Sequence, residues 1–349
     1  MSSRLYPKDS SVHREARDIL FGLMPKKILI TVVLLVILVP TAALAWLYLR
    51  KPAVAPPASI KVSMAPERIA RGKVLFEQVC DCGGCHSQRD FTRFGGPVVP
   101  GGAGAGNVLS ALMEGMPGTV VAANITPDPD TGIGLWTDGE KIRAIREGID
   151  KHGRVMFPMM PYEGYRNMSD EDVQALVAYL NSLPPVKNLL VGTLLNFPVN
   201  LMIKGVPQPA GQVPTPDRSN RLAYGKYLVT IGGCSDCHTP LKRGQPVEEQ
   251  AFAGGRVFAT NAGTVVSANI TPDMETGIGK WSEEFFLKKF YDYKDYVEHG
   301  PPQIQSPKSF TLMPWLSFSQ LPSDDLGAIY TYLKTLKPVH NAVETHPGA

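Results

Sequence analysis

Four of the five cysteines in this 349-residue chain fall in two like arrangements, Cys82-Gly83-Gly84-Cys85-His86 and Cys234-Ser235-Asp236-Cys237-His238. Two thiols spaced to lie on one helical turn, followed at once by an imidazole, form the donor set that attaches haem. The sulfurs form thioethers with the vinyl groups, and the His coordinates iron on the proximal side. A single such pentapeptide arises by chance. Here the second copy follows the first by 152 residues, inside a longer repeat. The expectation is two covalently bound haem c groups, held by Cys82, Cys85, His86, Cys234, Cys237 and His238, with His86 and His238 as metal ligands.

Such an iron needs a sixth ligand for electron transfer, or a vacancy for binding and chemistry. After the second pentapeptide only Met274 and Met313 remain, and Met274 stands opposite Pro129 in the repeat. Met313 pairs with Met160. Each opens a Met-Pro-aromatic triplet, Met160-Pro161-Tyr162 and Met313-Pro314-Trp315, lying 74 and 75 residues after its His. Met160 and Met313 are therefore the expected distal metal ligands. Met156, Met159 and Met168 lack counterparts and read as flexible apolar filler.

Between pentapeptide and methionine, residues 123–136 (ANITPDPDTGIGLW) recur as 268–281 (ANITPDMETGIGKW). Its polar residues and glycines, with Pro127 and Pro272, make a tight loop. Two readings of it stand side by side. In one, the loop wraps the cofactor, and Asn124 and Asn269 satisfy turn backbone groups. In the other, Trp136 and Trp281 bind the cofactor, their indole N–H groups donating to a haem propionate. Thr137 and Glu140 have capping-box spacing, as do Ser169 and Asp172, so a helix starts at each. Each half closes on an i, i+3, i+4, i+7 apolar face: Val173, Leu176, Val177, Leu180, then Leu326, Ile329, Tyr330, Leu333. Short helices and long Gly/Pro-rich loops predict an all-α fold of two tandem domains. Each would draw part of its core from the porphyrin.

In order, and twice over, these elements resemble the multihaem c-type cytochrome subunits of bacterial periplasmic alcohol, gluconate and aldehyde dehydrogenases. The likeness covers roughly residues 66–340. It implies tandem class I-like cytochrome c domains and a dehydrogenase partner. Two departures stand out. Those subunits commonly carry a further haem, and they are usually made with a cleaved signal peptide, whereas this chain starts with a long polar arm.

Residues 28–49 are almost wholly apolar and long enough to cross a bilayer as a helix. Arg4, Lys8, Arg14, Arg17, Lys26 and Lys27 precede them. That charge keeps the N-terminus cytoplasmic and places the rest in the periplasm of a bacterial inner-membrane protein. The rival reading is a signal peptide cleaved near Ala43-Leu44-Ala45. The long arm and the apolar continuation through Trp46 and Leu49 favour an uncleaved, single-pass anchor. The expected organisation is a cytoplasmic arm (1–27), the transmembrane anchor (28–49), a Pro/Ala-rich tether (50–65) giving the haem domains reach, a first domain (66–187), a linker (188–217) and a second domain (218–349).

The first 51 residues hold 8 Lys/Arg and 3 Asp/Glu, leaving 27 and 29 for the remainder. A slightly acidic haem-bearing part excludes nucleic acid as a partner. Within the linker, residues 189–203 are apolar but too few to span a membrane. They either pack across both domains or form an exposed patch that docks on a partner or the bilayer surface. Cys80, opposite Gly232, is the odd thiol. It is a small buried residue, pairs with another protein, or offers an alternative attachment sulfur or, should Met160 fail, an iron ligand.

Two functions compete. An electron carrier has both irons coordinated by His and Met. It takes electrons from a periplasmic dehydrogenase or quinol-oxidising complex and passes them to a terminal oxidase or soluble cytochrome. A dihaem enzyme, a peroxidase or thiosulfate-oxidising cytochrome, would leave one iron open or differently ligated. Both halves keep the Met-Pro-aromatic triplet, whereas His152 and His299 have no repeat partners. The carrier without catalytic residues is the expectation.

Overall fold

The computed structural model describes residues 25–348, so Arg4, Lys8, Arg14 and Arg17 of the arm lie outside the described residues. The chain forms two units, one ending at Lys51 and one running from Pro52 onward. In the first, α1 (Lys26–Leu49) has a mean hydropathy of 2.9 in its most apolar window and no buried side chain. At 1.5 Å per residue it is about 36 Å long, more than a hydrocarbon core needs. The Thr31 and Thr41 hydroxyls donate to the carbonyls of Lys27 and Ile37, so these two side-chain polar groups are satisfied by the helix itself.

The second unit runs α2 (Pro66–Val74), α3 (Cys82–His86), α4 (Asp138–Glu147), α5 (Tyr162–Tyr165), α6 (Asp170–Ser182) and α7 (Val199–Met202). It continues through α8 (Arg221–Ile231), α9 (Cys234–His238), α10 (Glu283–Tyr291), α11 (Lys294–His299), α12 (Trp315–Phe318) and α13 (Ser323–Leu333). Four antiparallel two-stranded ribbons lie among the loops: Asn107–Val108 with Val121–Ala122, Gly118–Thr119 with Leu194–Leu195, Leu241–Lys242 with Gln245–Pro246, and Val257–Thr260 with Gly263–Val266. The unit is thus helix-dominated rather than purely helical. Strands of two to four residues are too short to write an alternating pattern into the sequence.

Each half is organised by one helix crossing, α2 on α6 and α8 on α13. A Cβ at Gly72 would stand 1.9 Å from the Ala175 carbonyl oxygen, and one at Gly225 would stand 1.9 Å from that of Ala328. Only glycine lets the backbones approach this closely. Around the crossings Val173, Leu176, Val177, Leu180, Leu326, Ile329 and Leu333 are buried, and Tyr330 packs at the edge. The halves differ by one residue between glycine and pentapeptide, ten steps from Gly72 to Cys82 against nine from Gly225 to Cys234. A π-helical turn, Leu75–Val79, absorbs the extra residue, with the Cys80 N–H bonding to the Leu75 carbonyl at 2.9 Å.

The capping box of α4 forms in full between Thr137 and Glu140. At α6 only half of one forms. Ser169 Oγ accepts the Asp172 N–H, but the Asp172 carboxylate is held by Arg71 at 2.8 and 2.7 Å and by the Tyr227 hydroxyl at 2.6 Å. The tether is not free over its length. Val62 is buried and donates its N–H to Asp138 at 2.8 Å, and the Ala58 carbonyl lies against Gly139, where a Cβ would stand 1.9 Å away.

Gly225→Ala is expected to destabilise the holoprotein by about 3 kcal/mol, the upper end for overpacking, since a backbone oxygen cannot turn aside. Gly192→Ala, with nothing near its Cβ, should leave the unfolding midpoint unchanged. Thermal melts followed by far-ultraviolet circular dichroism compare the two.

Candidate haem sites

The two pentapeptides form matching single helical turns, α3 and α9, each entered through a left-handed residue, Asp81 (φ 43°) and Gly233 (φ 64°). No disulfide ties up their thiols. His86 Nδ1 lies 2.7 Å from the Ala123 carbonyl, and His238 Nδ1 lies 2.7 Å from that of Ala268. A carbonyl only accepts, so Nδ1 donates and the Nε2 lone pair is left for a metal. Burial pushes both imidazoles below their ordinary pKa, against the opposing carbonyl bond, which favours the neutral, ligating ring. Among the described residues no three His, Cys, Asp or Glu converge as a bare-metal site. Free thiol pairs beside an oriented imidazole fit covalent haem.

From each histidine carbonyl the loop is pinned in the same way twice. Gly106 N–H donates to His86 O, and Gly254 N–H to His238 O, both at 2.7 Å. Asn124 Oδ1 accepts from Thr126 N and Oγ1, while its Nδ2 donates to Thr131 Oγ1 and, at 2.7 Å, to Val186 O. Asn269 repeats this with Thr271, Thr276 and, at 2.8 Å, Val339 O. Asp128 and Asp273 each accept from the N–H and hydroxyl of Thr131 and Thr276. Those bonds hold both carboxyls below the ordinary carboxylate range. The asparagines therefore do satisfy turn backbone groups, and they also staple the loop to the irregular segment after the closing helix.

Sequence reasoning missed the residues that complete this staple. Asn188 Nδ2 donates to Ala105 O at 2.8 Å, and Asn341 Nδ2 donates to Ala253 O at 2.9 Å. The signal was present, since Pro185-Val186-Lys187-Asn188 recurs as Pro338-Val339-His340-Asn341.

The Met-Pro-aromatic triplets share one backbone device. Tyr162 N–H bonds to Met160 O at 2.8 Å and Trp315 N–H to Met313 O at 2.7 Å, bridging Pro161 (φ −81°, ψ 50°) and Pro314 (φ −75°, ψ 57°). These are inverse γ-turns. Met160 and Met313 are half-buried against the same core that Cys82, Cys234, Trp136 and Trp281 pack on, whereas Met159 lies against a separate cluster around Leu109 and Val120. Met168 is fully buried filler. Trp136 and Trp281 close matching turns onto Ile133 and Ile278. His152 is exposed, and exposed His299 lies 2.9 Å from Asp295. Cys80 is half-buried beside Cys82, whose thiol pKa it raises through a hydrogen bond, together with burial.

The halves meet with quasi-two-fold logic. Asp81, beside the first pentapeptide, accepts the Ser317 hydroxyl of α12 at 2.8 Å. On the other side, Gly164 of α5 lies against the Thr230 carbonyl of α8, and Gly232 against that of Val79. Each pre-pentapeptide helix thus packs on the short helix after the other half's methionine. Phe94 stacks on Tyr293 at 4.9 Å and adds a hydrogen bond to Pro302 O. Buried Tyr165 lies between the motifs, its pKa raised by burial and then by Cys80, Cys82 and Cys85 from one half and Asp236 from the other.

The chain is similar to known proteins. The cytochrome c family model matches residues 69–184. The chain is 33% identical over 276 residues to the cytochrome c subunit of alcohol dehydrogenase (quinone) from Gluconacetobacter polyoxogenes, covering 74% of this chain and 54% of that one. It is 30% identical to the gluconate 2-dehydrogenase cytochrome c subunit of Pantoea cypripedii, covering 77% and 59%. It thus spans little more than half the length of these subunits. A diheme cytochrome c-type protein of Cereibacter sphaeroides is 30% identical over 277 residues, covering 77% of this chain and 86% of its own. Matching free-thiol turns, oriented imidazoles and these likenesses have one reading: the chain belongs to the c-type cytochromes, proteins that carry covalently bound haem.

Proposed function

We propose that this chain is a dihaem electron-transfer protein of a bacterial periplasmic respiratory chain, built as two tandem cytochrome c domains. The observation that carries this reading is the equivalence of the two sites. The histidine–carbonyl bond and the asparagine staple of one half have their counterparts in the other, and both halves keep the Met-Pro-aromatic triplet. Each haem supplies one-electron chemistry at a potential that Met ligation raises.

The protein's part is positional. Cys82, Cys85, Cys234 and Cys237 attach the cofactors, and the Ala123 and Ala268 carbonyls set the tautomer and ring plane of His86 and His238. Pro161 and Pro314 turn the chain so that Met160 and Met313 are presented as distal ligands. Trp136 and Trp281, closing the loops, offer indole N–H groups toward the propionates. Because the segments that lead into the two pentapeptides pack on the opposite halves, both cofactors would be held within one unit, where they would supply one-electron chemistry.

The donor in this reading is a periplasmic dehydrogenase or quinol-oxidising complex, because relatives bear the names of dehydrogenase subunits. The acceptor is a terminal oxidase or soluble cytochrome. Helix α1 anchors the chain in the inner membrane with Lys26 and Lys27 on the cytoplasmic side and the haem domains in the periplasm.

Purified protein should carry two haems per chain by the pyridine haemochrome assay, and His86→Ala or His238→Ala should each remove the low-spin signature of one. A content of one haem in the wild type would sink the dihaem reading. Met160→Ala and Met313→Ala should each abolish one haem's far-red Met–iron absorption and lower its potential, because a soft ligand favouring reduced iron is lost. A spectrum unchanged in Met160→Ala would pass the ligand role to Met159, Met156 or Cys80.

A further inference from the structure

The stretch after the first half's staple is apolar and faces outward. Leu189 is 86% exposed, Val191 64%, Leu194 70%, Phe197 67% and Met202 56%. The backbone beneath them is held. Leu194 and Leu195 pair with Thr119 and Gly118, Thr193 Oγ1 donates to Val121 O, and Asn196 N–H bonds to Pro117 O at 2.8 Å. Leu195 turns in against the Leu109–Val120 cluster, and Leu201 and Ile203 are buried. What remains outside is a fixed set of apolar side chains, too many in one short segment for ordinary surface scatter.

Two observations name the occupant. No Asp or Glu occurs between Asp172 and Asp217, and Lys187, at the head of the apolar run, is paired with Asp130 at 3.1 Å. An apolar stretch without carboxylates matches a lipid surface, its side chains reaching the acyl boundary with no negative charge to bury. The second observation is chain length. With Ala58 docked on Gly139, only residues 50–57 are left as spacer after α1, at most about 28 Å of extended chain.

We propose that residues 189–202 form a membrane-contacting loop that seats Leu194 and Phe197 in the interfacial layer of the bilayer, fixing the haem-bearing unit against the membrane surface instead of leaving it on a loose tether. This rests on the reading of α1 as a membrane anchor. A unit held in one orientation offers a constant face to a partner embedded in the same membrane.

The test uses the full chain in native membranes, with p-benzoylphenylalanine replacing Phe197 in one variant and Met274 in another. Met274 is 57% exposed but sits between Asp273 and Glu275, a poor lipid contact. An unchanged Soret spectrum verifies that each variant is folded and loaded. After irradiation, mass spectrometry should find phospholipid adducts at position 197 several-fold above those at 274. Equal yields at the two positions, or adducts at 197 to protein rather than lipid, overturn the proposal. A carbonate wash of the unmodified chain separates the two readings. Retention with no lipid adduct at 197 rejects the loop and keeps the anchor, whereas release into the wash rejects the anchor and this proposal with it.

Discussion

One hydrogen bond in each half governs the rest, from an imidazole Nδ1 to the carbonyl just before an asparagine. A ligand histidine with a free second nitrogen can rotate and change tautomer. Tied to a backbone carbonyl, it presents one lone pair in one direction. The carbonyl must then be held as firmly as the ring. That requirement accounts for the Asn-Ile-Thr-Pro-Asp loop, whose asparagine, threonine and aspartate side chains saturate their own turns and bind the segment beyond the closing helix. That segment follows α6 or α13, which cross α2 or α8 at a glycine, and α2 and α8 lead back into the pentapeptides. The circuit closes on itself.

Closure explains why the halves are so alike in their loops and so tolerant elsewhere. The Arg71–Asp172 pair has no ionic copy: Tyr224 stands at the position of Arg71, beside Asp325. Burial raises the Asp325 pKa, with Arg218, Arg71 and Tyr224 working against it. Positions outside the circuit answer to local packing alone. The π turn before Cys82 makes the same point, since one inserted residue is taken up by a wider turn and the pentapeptide geometry is kept.

Much of this was legible in the sequence because the repeat exposes position-specific demands twice. The pentapeptides, the closing-helix faces and the Thr137 cap were readable from spacing alone. The glycine crossings were not, although Gly72-Lys73 and Gly225-Lys226 recur, because a lone glycine in a helix has no periodicity to betray it. The second half of the Ser169 cap was lost to competition for Asp172 from Arg71 and from Tyr227, distant in sequence. The ribbons are pairings of loop with loop, specified by neither propensity nor pattern. The exposure of Leu189, Leu194 and Phe197 could not be read either, since an apolar run looks the same in a core and on a surface.

In the proposed function the two sites are equivalent and neither iron is open, a condition that electron paramagnetic resonance of the fully oxidised holoprotein measures. Two low-spin centres of equal integrated intensity, unaltered by added cyanide or peroxide on the timescale of mixing, are expected. A high-spin centre at rest, or one low-spin signal accompanied by a site that binds these ligands at once, would contradict it.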